Sequence, residues 1–126
     1  MIDFGPIWQL VALLAFHWFG DFVLQTSRQA ANKHKSLDAL AAHVAVYTII
    51  IGIAATLLFP FNLVRWATFT ALNGALHFAT DFVTSRISSR LRAKQDWHRF
   101  FVVIGFDQLI HQVTLAATMW LAYYYY

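Results

Sequence analysis

The sequence contains neither cysteine nor glutamate, and each absence excludes a class of site. Without cysteine there is no disulfide framework, thiolate zinc site, iron–sulfur cluster or cysteine nucleophile. Without glutamate there is no glutamate-based di-iron bundle and no glutamate general base. Any carboxylate chemistry of side chains in this protein therefore comes from its six aspartates.

Charged side chains are also scarce, because they make up 12% of the 126 residues while 60% are hydrophobic. An average soluble domain is about half apolar and about a quarter charged. A domain of 14.5 kDa exposes too much surface for so few charges to solvate. The composition therefore predicts a protein whose surface faces lipid, and the bilayer is its first expected partner.

Four apolar stretches reach the length of about 20 residues that a helix needs to cross a bilayer. They are residues 6–25, 37–59, 63–84 and 100–123. We therefore predict an all-α polytopic membrane protein in which the whole chain, 1–126, forms one domain of four transmembrane helices. Pro60 and Asn62 lie between the second and third stretches, where they are typical of a helix stop and a helix cap. These two spans are expected to form a tight antiparallel hairpin.

Positive charge is concentrated after the first and third stretches. Eight of the nine Lys and Arg residues lie there, namely Arg28, Lys33, Lys35, Arg86, Arg90, Arg92, Lys94 and Arg99. The positive-inside rule then places both basic loops in the cytoplasm and both termini outside, in a multi-pass protein of the cytoplasmic (inner) membrane. Loops of this kind contact anionic lipid, and nucleic acid is not an expected partner.

Seven ionisable side chains interrupt the apolar stretches. They are His17, Asp21, His43, His77, Asp81, Asp107 and His111. An aspartate near the bilayer centre costs about 2.5 to 3.5 kcal/mol, so such residues mark a functional site that faces the bundle interior. Counted from the cytoplasmic helix ends, all seven fall in one layer nearer the cytoplasmic side. We therefore expect a polar-cored bundle with one buried site.

A His-x-x-x-Asp-Phe-Val motif occurs twice, starting at His17 and at His77. Residues four apart share a helix face, so each pair can act together. Both copies run in the same direction, which predicts two helical hairpins related by a pseudo-two-fold axis along the membrane normal, a parallel repeat. Such an axis brings the two motifs opposite each other. A ridge of small residues, expected to permit close helix approach, consists of Ala67, Ala71, Ala75 and Ala79.

Imidazole and carboxylate groups are the ordinary ligands of Zn²⁺, Mn²⁺ and Fe²⁺ where thiolates are absent. All seven buried side chains are therefore candidate ligands for one or two divalent ions. In an alternative arrangement, each aspartate orients a neighbouring histidine and fewer residues touch the metal. One histidine on each of four helices would also suit a b-type haem, although three carboxylates would be costly beside it.

The same residues resemble a family of small bacterial and phage membrane proteins, domain of unknown function 3307. The resemblance covers nearly the whole chain. The segments that carry it are HWFGDFVLQ from His17, Asn32-Lys33, HVAVY from His43, HFATD from His77 and DQLIH from Asp107. This resemblance implies a functional set of residues and no particular reaction. A looser similarity to small inner-membrane proteins labelled metal-dependent hydrolases implies a hydrolytic metal site.

These observations favour a metal-dependent hydrolase that acts on a lipid-linked phosphate at the cytoplasmic headgroup level. Asp21, Asp81 and Asp107 are the candidate catalytic residues. The candidate binding residues for a phosphate or anionic headgroup are Arg28, Lys33, Lys35 and Arg86. Transport of a metal ion or proton is the alternative, because His and Asp residues in membranes also form ion pathways. A second copy or an accessory protein is an expected partner, since the chain has no separate recognition domain.

Overall fold

The computed structural model describes residues 5–125, which fold into helices joined by short turns and contain no strand. The order is α1 (Gly5–Trp18), a π-helical turn (Phe19–Val23), α2 (Ser27–Asn32), α3 (Leu37–Leu58), α4 (Leu63–Ala93) and α5 (Trp97–Tyr123). The prediction of an all-α chain is therefore confirmed.

Polar caps fix where the long helices begin. The Ser36 side chain accepts a hydrogen bond from the Ala39 amide at the start of α3. Asn62 and Asp96 cap α4 and α5 in the same way. Such caps satisfy amides that have no partner inside the helix. Residues 59–62 thus join α3 to α4 in the expected hairpin, and the two helices pack together.

The helices depart from the predicted stretches on the side of the basic loops. α4 continues to Ala93 rather than ending at residue 84, and α5 begins at Trp97 rather than residue 100. The first basic loop contains α2, which starts with a capping box between Thr26 and Gln29. The helices extend beyond the apolar stretches because a helix can continue past the residues that are apolar enough to cross a bilayer. The extension of α4 contains Arg and Leu, which are good helix formers in water.

Three helical segments are long and apolar enough to cross a membrane, namely Gly5–Val23, Leu37–Leu58 and Trp97–Tyr123. They identify the chain as a membrane protein. The third predicted span, α4, is 31 residues long but is not in this set. Its apolar sequence is interrupted by Asn73, His77 and Asp81 among other polar residues.

The four long helices pack side by side around a common interior. α3 packs against α1 and α4, and α5 packs against α4 and α1. The half of the interior nearer the α3–α4 turn is mostly apolar: Leu13, Ile51 and Leu115 are fully buried there, and Asn73 bonds to Thr118 at its edge. Phe59 and Tyr123 stack in the same half with ring centroids 4.1 Å apart. The other half holds the histidines and aspartates.

Close packing of α3 and α4 depends on Gly74 and not on the predicted alanine ridge. A Cβ atom at Gly74 would lie 2.5 Å from Thr48 Oγ1 of α3. The four ridge residues are exposed instead: Ala67, Ala71, Ala75 and Ala79. The prediction about the ridge is wrong because α4 turns its histidine and aspartate inward, and the alanines lie on another face.

Candidate metal centre

All seven predicted residues lie in one buried layer of the bundle, and none of these residues is more than 8% exposed. α1 and the π-helical turn contribute His17 and Asp21, α3 contributes His43, α4 contributes His77 and Asp81, and α5 contributes Asp107 and His111. A buried charge persists only where it is paired, hydrogen-bonded or bound to a metal. The layer therefore needs an account of every polar atom in it.

Asp21 reaches this layer from the π-helical turn Phe19–Val23. Gly20 of that turn lies against α3, where an added Cβ would be 3.3 Å from the Ile50 side chain. The lack of a side chain at Gly20 lets the turn approach α3 and brings Asp21 Oδ1 within 3.1 Å of His43 Nε2. Single π-helical turns inside helices are frequent at functional sites.

The first donor group contains Asp21, His43, His77 and Asp81, each of which offers one ligand atom within 4.8 Å of the others. The Nε2 atoms of the two histidines are 3.3 Å apart. Each of these nitrogens lies 3.1 to 3.5 Å from Asp21 Oδ1 and from Asp81 Oδ2. Two nitrogens and two oxygens therefore converge on one point.

Five of the six separations that define a tetrahedron, those that involve a histidine nitrogen, suit a tetrahedral ion. In a tetrahedron with edges of about 3.3 Å, each corner lies about 2.0 Å from the centre, which is the usual Zn–N or Zn–O distance. Each Nε2 carries either a proton or a lone pair, so two of them this close need a shared proton or a common cation. The flanking carboxylates favour a cation, and this group could hold a metal ion.

A second donor group shares Asp21 with the first and adds Asp107 and His111 from α5. His111 Nε2 lies 3.4 Å from Asp107 Oδ2 and 3.1 Å from Asp81 Oδ1, so it faces both groups. The Thr84 hydroxyl donates a hydrogen bond to Asp107 Oδ1 and helps to fix that carboxylate. With Asp21 between them, the two groups have donors for one ion or for two neighbouring ions.

Gln108 holds two of the carboxylates in position. Its Nε2 donates to Asp21 Oδ2 at 3.2 Å and to Asp107 Oδ2 at 3.1 Å. Its Oε1 therefore faces His17 Nε2, which donates to it at 2.9 Å. The other ring nitrogen of His17 then accepts from the Tyr47 hydroxyl, 3.4 Å away. One chain of donors thus runs from Tyr47 to both aspartates.

His17 consequently belongs to this supporting network and is in neither donor group. Its Nε2 is 3.7 Å from Asp21 Oδ2, and Gln108 and Tyr47 engage its two ring nitrogens. The motif repeat predicts His17 as a ligand equivalent to His77. The two copies differ because the first helix widens into a π-helical turn before its aspartate.

Lys33 is the one predicted anion-binding cation that the structure places at the site. Its Nζ lies 3.0 Å from Asp81 Oδ2, and its side chain is 20% exposed. Arg86 donates instead to a carbonyl of its own helix and lies over a phenylalanine ring. Arg28 and Lys35 are exposed and lie outside the pocket beside the donor groups.

That pocket, of about 220 Å³, lies on the side of the basic loops, with Asp21, Asp107 and Gln108 among its lining residues. Its walls come from the segment that follows the π-helical turn, the C-terminal part of α4 and the N-terminal part of α5. The polar wall residues include Gln25, Lys33, Ser85, Ser88 and Arg92. The pocket gives one face of the candidate metal centre a route to the outside.

Sequence reasoning missed Gln108 and the α4 residues of the pocket for different reasons. Ser85, Ser88 and Arg92 follow Asp81 at spacings of four, three and four, so they continue one face of α4. The third apolar stretch ends at residue 84, so it does not include these residues. Gln108 gave no distinct signal, because a glutamine that orients carboxylates looks the same in sequence as one that bonds two helices.

A family described as a protein of unknown function, DUF3307, matches residues 9–125. The match includes every residue of the buried ionisable layer. The chain belongs to the DUF3307 family. The resemblance seen in the sequence is thereby confirmed. No curated protein and no solved structure matches this DUF3307 protein.

Proposed function

We propose that this DUF3307 protein crosses the cytoplasmic membrane four times, with α4 as the remaining span. The polar residues that lower the hydropathy of α4 point inward, since Asn73, His77 and Asp81 are at most 2% exposed. Its outer surface carries apolar side chains such as Leu72 and Val83, which are 42% and 53% exposed. A helix of this length spans about 46 Å, more than the hydrocarbon core of about 30 Å.

The proposed orientation places both basic loops in the cytoplasm and both termini outside, as the positive-inside rule requires. The absence of cysteine makes this simple to test, because a single introduced thiol is the only one present. In intact cells, an impermeant maleimide should label Tyr125→Cys and leave Lys94→Cys unlabelled. The reverse result would overturn the orientation and move the metal centre to the opposite leaflet.

Within this bundle we propose a centre that holds one or two divalent ions, Zn²⁺, Mn²⁺ or Fe²⁺, and hydrolyses a phosphate ester or anhydride. The observation that carries the proposal is that two donor groups meet at Asp21 beside an open pocket. A bound divalent ion would supply a hydroxide near neutral pH and stabilise charge on a phosphoryl oxygen. Asp81 and Asp107 would complete the two coordination sets, and Gln108 would orient Asp21 and Asp107.

The charge of the layer supports a phosphate substrate. With neutral imidazoles, the three aspartates and Lys33 leave two net negative charges. One divalent ion neutralises them, and a second ion leaves two positive charges. A phosphate dianion would then restore neutrality inside a buried site, where an uncompensated charge is costly. The position of the pocket at the level of the basic loops favours a phosphate carried by a lipid.

Access from one side favours hydrolysis over transport. Beyond the histidine layer, Leu13, Ile51 and Leu115 are fully buried and fill the interior. Phe59 and Tyr123 stack across the far end of the same apolar half. An ion pathway would need a continuous line of polar groups or water through this region, whereas its buried polar side chains are Thr70, Asn73 and Thr118, and Asn73 bonds to Thr118. The site thus has an entrance on the side of the basic loops and an apolar barrier on the other.

The packing of the rings disfavours the haem alternative. The imidazole of His77 stacks on that of His111 with centroids 4.1 Å apart, and on the ring of Tyr47 at 3.8 Å. A bis-histidine haem needs two imidazoles on opposite faces of a wide planar macrocycle. These histidines pack against each other instead.

The proposal is tested on protein purified in detergent, by elemental analysis and by phosphate release from phosphatidic acid and a polyprenyl diphosphate. We expect one or two divalent ions per chain and metal-dependent release. Asp21→Asn should lose both, because it removes the donor common to the two groups. Asp38→Asn is the matched control, since Asp38 is exposed at the start of α3.

Protein that binds no divalent ion on reconstitution would overturn the metal centre. Release that continues unchanged in Asp21→Asn would overturn the assignment of the site. A flux of metal ions or protons into proteoliposomes that is lost in Asp21→Asn, without phosphate release, would replace the hydrolase with a transporter.

A further inference from the structure

The pocket beside the metal centre contains a buried hydroxyl group with no partner. Ser85 is 7% exposed, lines the pocket, and its Oγ has no hydrogen-bond partner among the described residues. Helical hydroxyls usually bond to the carbonyl four residues earlier. Thr80, on the same helix, does so at 2.8 Å. Ser85 does not, which leaves a donor available to a ligand in the pocket.

Two cations from different elements border the same space. Arg92 lies two turns beyond Ser85 on the same face of α4, and Lys33 approaches from the segment after α2. Lys33 already contacts Asp81 at 3.0 Å, but an ammonium group has three donors and can bind a second acceptor. Within the described residues, the Arg92 side chain has no ion pair. A hydroxyl, an ammonium and a guanidinium form a donor set typical of phosphoryl recognition.

A third wall of the pocket is apolar. Phe22 comes from the π-helical turn, and Phe100 and Ile104 come from α5. Phe22 is 47% exposed, so this wall continues onto the outer surface of the bundle at the level of the pocket. A purely polar ligand would leave this wall without a partner. The pocket therefore matches an amphipathic molecule with an anionic end.

We propose that Lys33, Ser85 and Arg92 bind the phosphoryl group of an alkyl or polyprenyl phosphate, whose chain leaves the pocket along Phe22, Phe100 and Ile104. This names the substrate class of the proposed hydrolase and rests on that function only in placing the metal ions beside the phosphoryl group. Arg92 and Ser85 replace Arg28, Lys35 and Arg86, which the sequence had suggested for this role.

The test is equilibrium binding by calorimetry to the full-length protein in an uncharged detergent. Dodecyl phosphate and inorganic phosphate serve as probes. Arg92→Gln should weaken binding of both by about 10-fold, the effect of losing one charge-assisted hydrogen bond. Arg90→Gln is the matched control, because it removes the same charge two residues away, outside the pocket. Ser85→Ala should weaken binding by a smaller factor, and both variants should keep their metal content.

Each outcome decides one point. Tighter binding of dodecyl phosphate than of inorganic phosphate supports a lipid ligand, whereas equal binding of the two contradicts the role of the apolar wall. Equal losses in Arg92→Gln and Arg90→Gln, or none in either, would overturn the phosphoryl site. Arg92-dependent binding without any phosphate release would leave this site standing and reject the hydrolase. Metal-dependent release of phosphate that Arg92→Gln does not alter would support the hydrolase and reject this phosphoryl site.

Discussion

The two halves of the bundle interior are built on different principles. In the apolar half, side chains such as Leu13, Ile51 and Leu115 are fully buried and need only shape complementarity. In the polar half, Asp21 and Asp81 each contact several groups from other helices, and every contact has a required geometry. The first half can tolerate substitution by similar side chains, whereas the second depends on particular atoms.

The polar half of the interior costs the protein stability, whereas the apolar half does not. In lipid, apolar side chains gain little by moving from the bilayer to the bundle interior, so helix association relies on close packing and polar contacts. Burying three carboxylates is unfavourable unless cations or donors compensate them. A fold that needed only stability could have continued the apolar half throughout. The polar half therefore indicates function.

Metal removal gives the largest expected effect and tests whether the polar half needs an ion. Free metal held at about 1,000 times its dissociation constant should raise the free energy of unfolding by about 4 kcal/mol. A chelator should abolish that gain in the wild type and have no effect on Asp21→Asn. Thermal unfolding in detergent measures both. Equal stability of the wild type with and without metal would contradict the view that the polar half needs an ion.

Leu115→Ala tests the independence of the apolar half and should lower the free energy of unfolding by about 2 to 3 kcal/mol through lost packing. Metal content should not change, because Leu115 is in neither donor group. Leu109→Ala, on the same helix but 53% exposed, is the control and should have little effect. A fall in bound metal in Leu115→Ala would mean that the two halves are coupled.

Gly74→Ala probes the interface that both halves share. The added Cβ would lie 2.5 Å from Thr48 Oγ1, so α3 and α4 must separate or Thr48 must turn. We expect a loss of about 1 to 2 kcal/mol in the free energy of unfolding, as in overpacked cores. Gly105→Ala is the opposite case, since nothing lies within 4 Å of its added Cβ. It should be neutral or stabilising by up to about 1 kcal/mol because alanine favours helix.

Much of the fold was predictable because lipid imposes simple rules. Apolar length located all four long helices, and the capping role of Asn62 followed from side-chain chemistry. Apolar length did not indicate that α4 continues to Ala93 through polar residues. The alanine ridge failed for another reason: periodicity identifies a face but does not say what lies against it.

For the candidate site, the sequence predicted which residues are involved but not what each of them does. His43, His77, Asp81 and His111 stand out because ionisable residues are rare in apolar helices. The division of labour among them did not follow from the sequence. His17 repeats the position of His77 in its motif but bonds to Gln108 and Tyr47 instead of joining a donor group.

The sequence by itself determined the chemistry available to this protein. It excluded thiolates and glutamate, left imidazole and aspartate as the candidate metal ligands, and placed them on helix faces through spacings of three and four residues. Tertiary structure alone decided which atoms meet. Asp21 and Gln108 are 87 residues apart, and Asp21 becomes the donor common to two groups only because a π-helical turn and Gly20 let it approach α3. Helical periodicity determines which side chains of one helix point the same way. Whether side chains from four helices meet at one point depends on how those helices pack against each other.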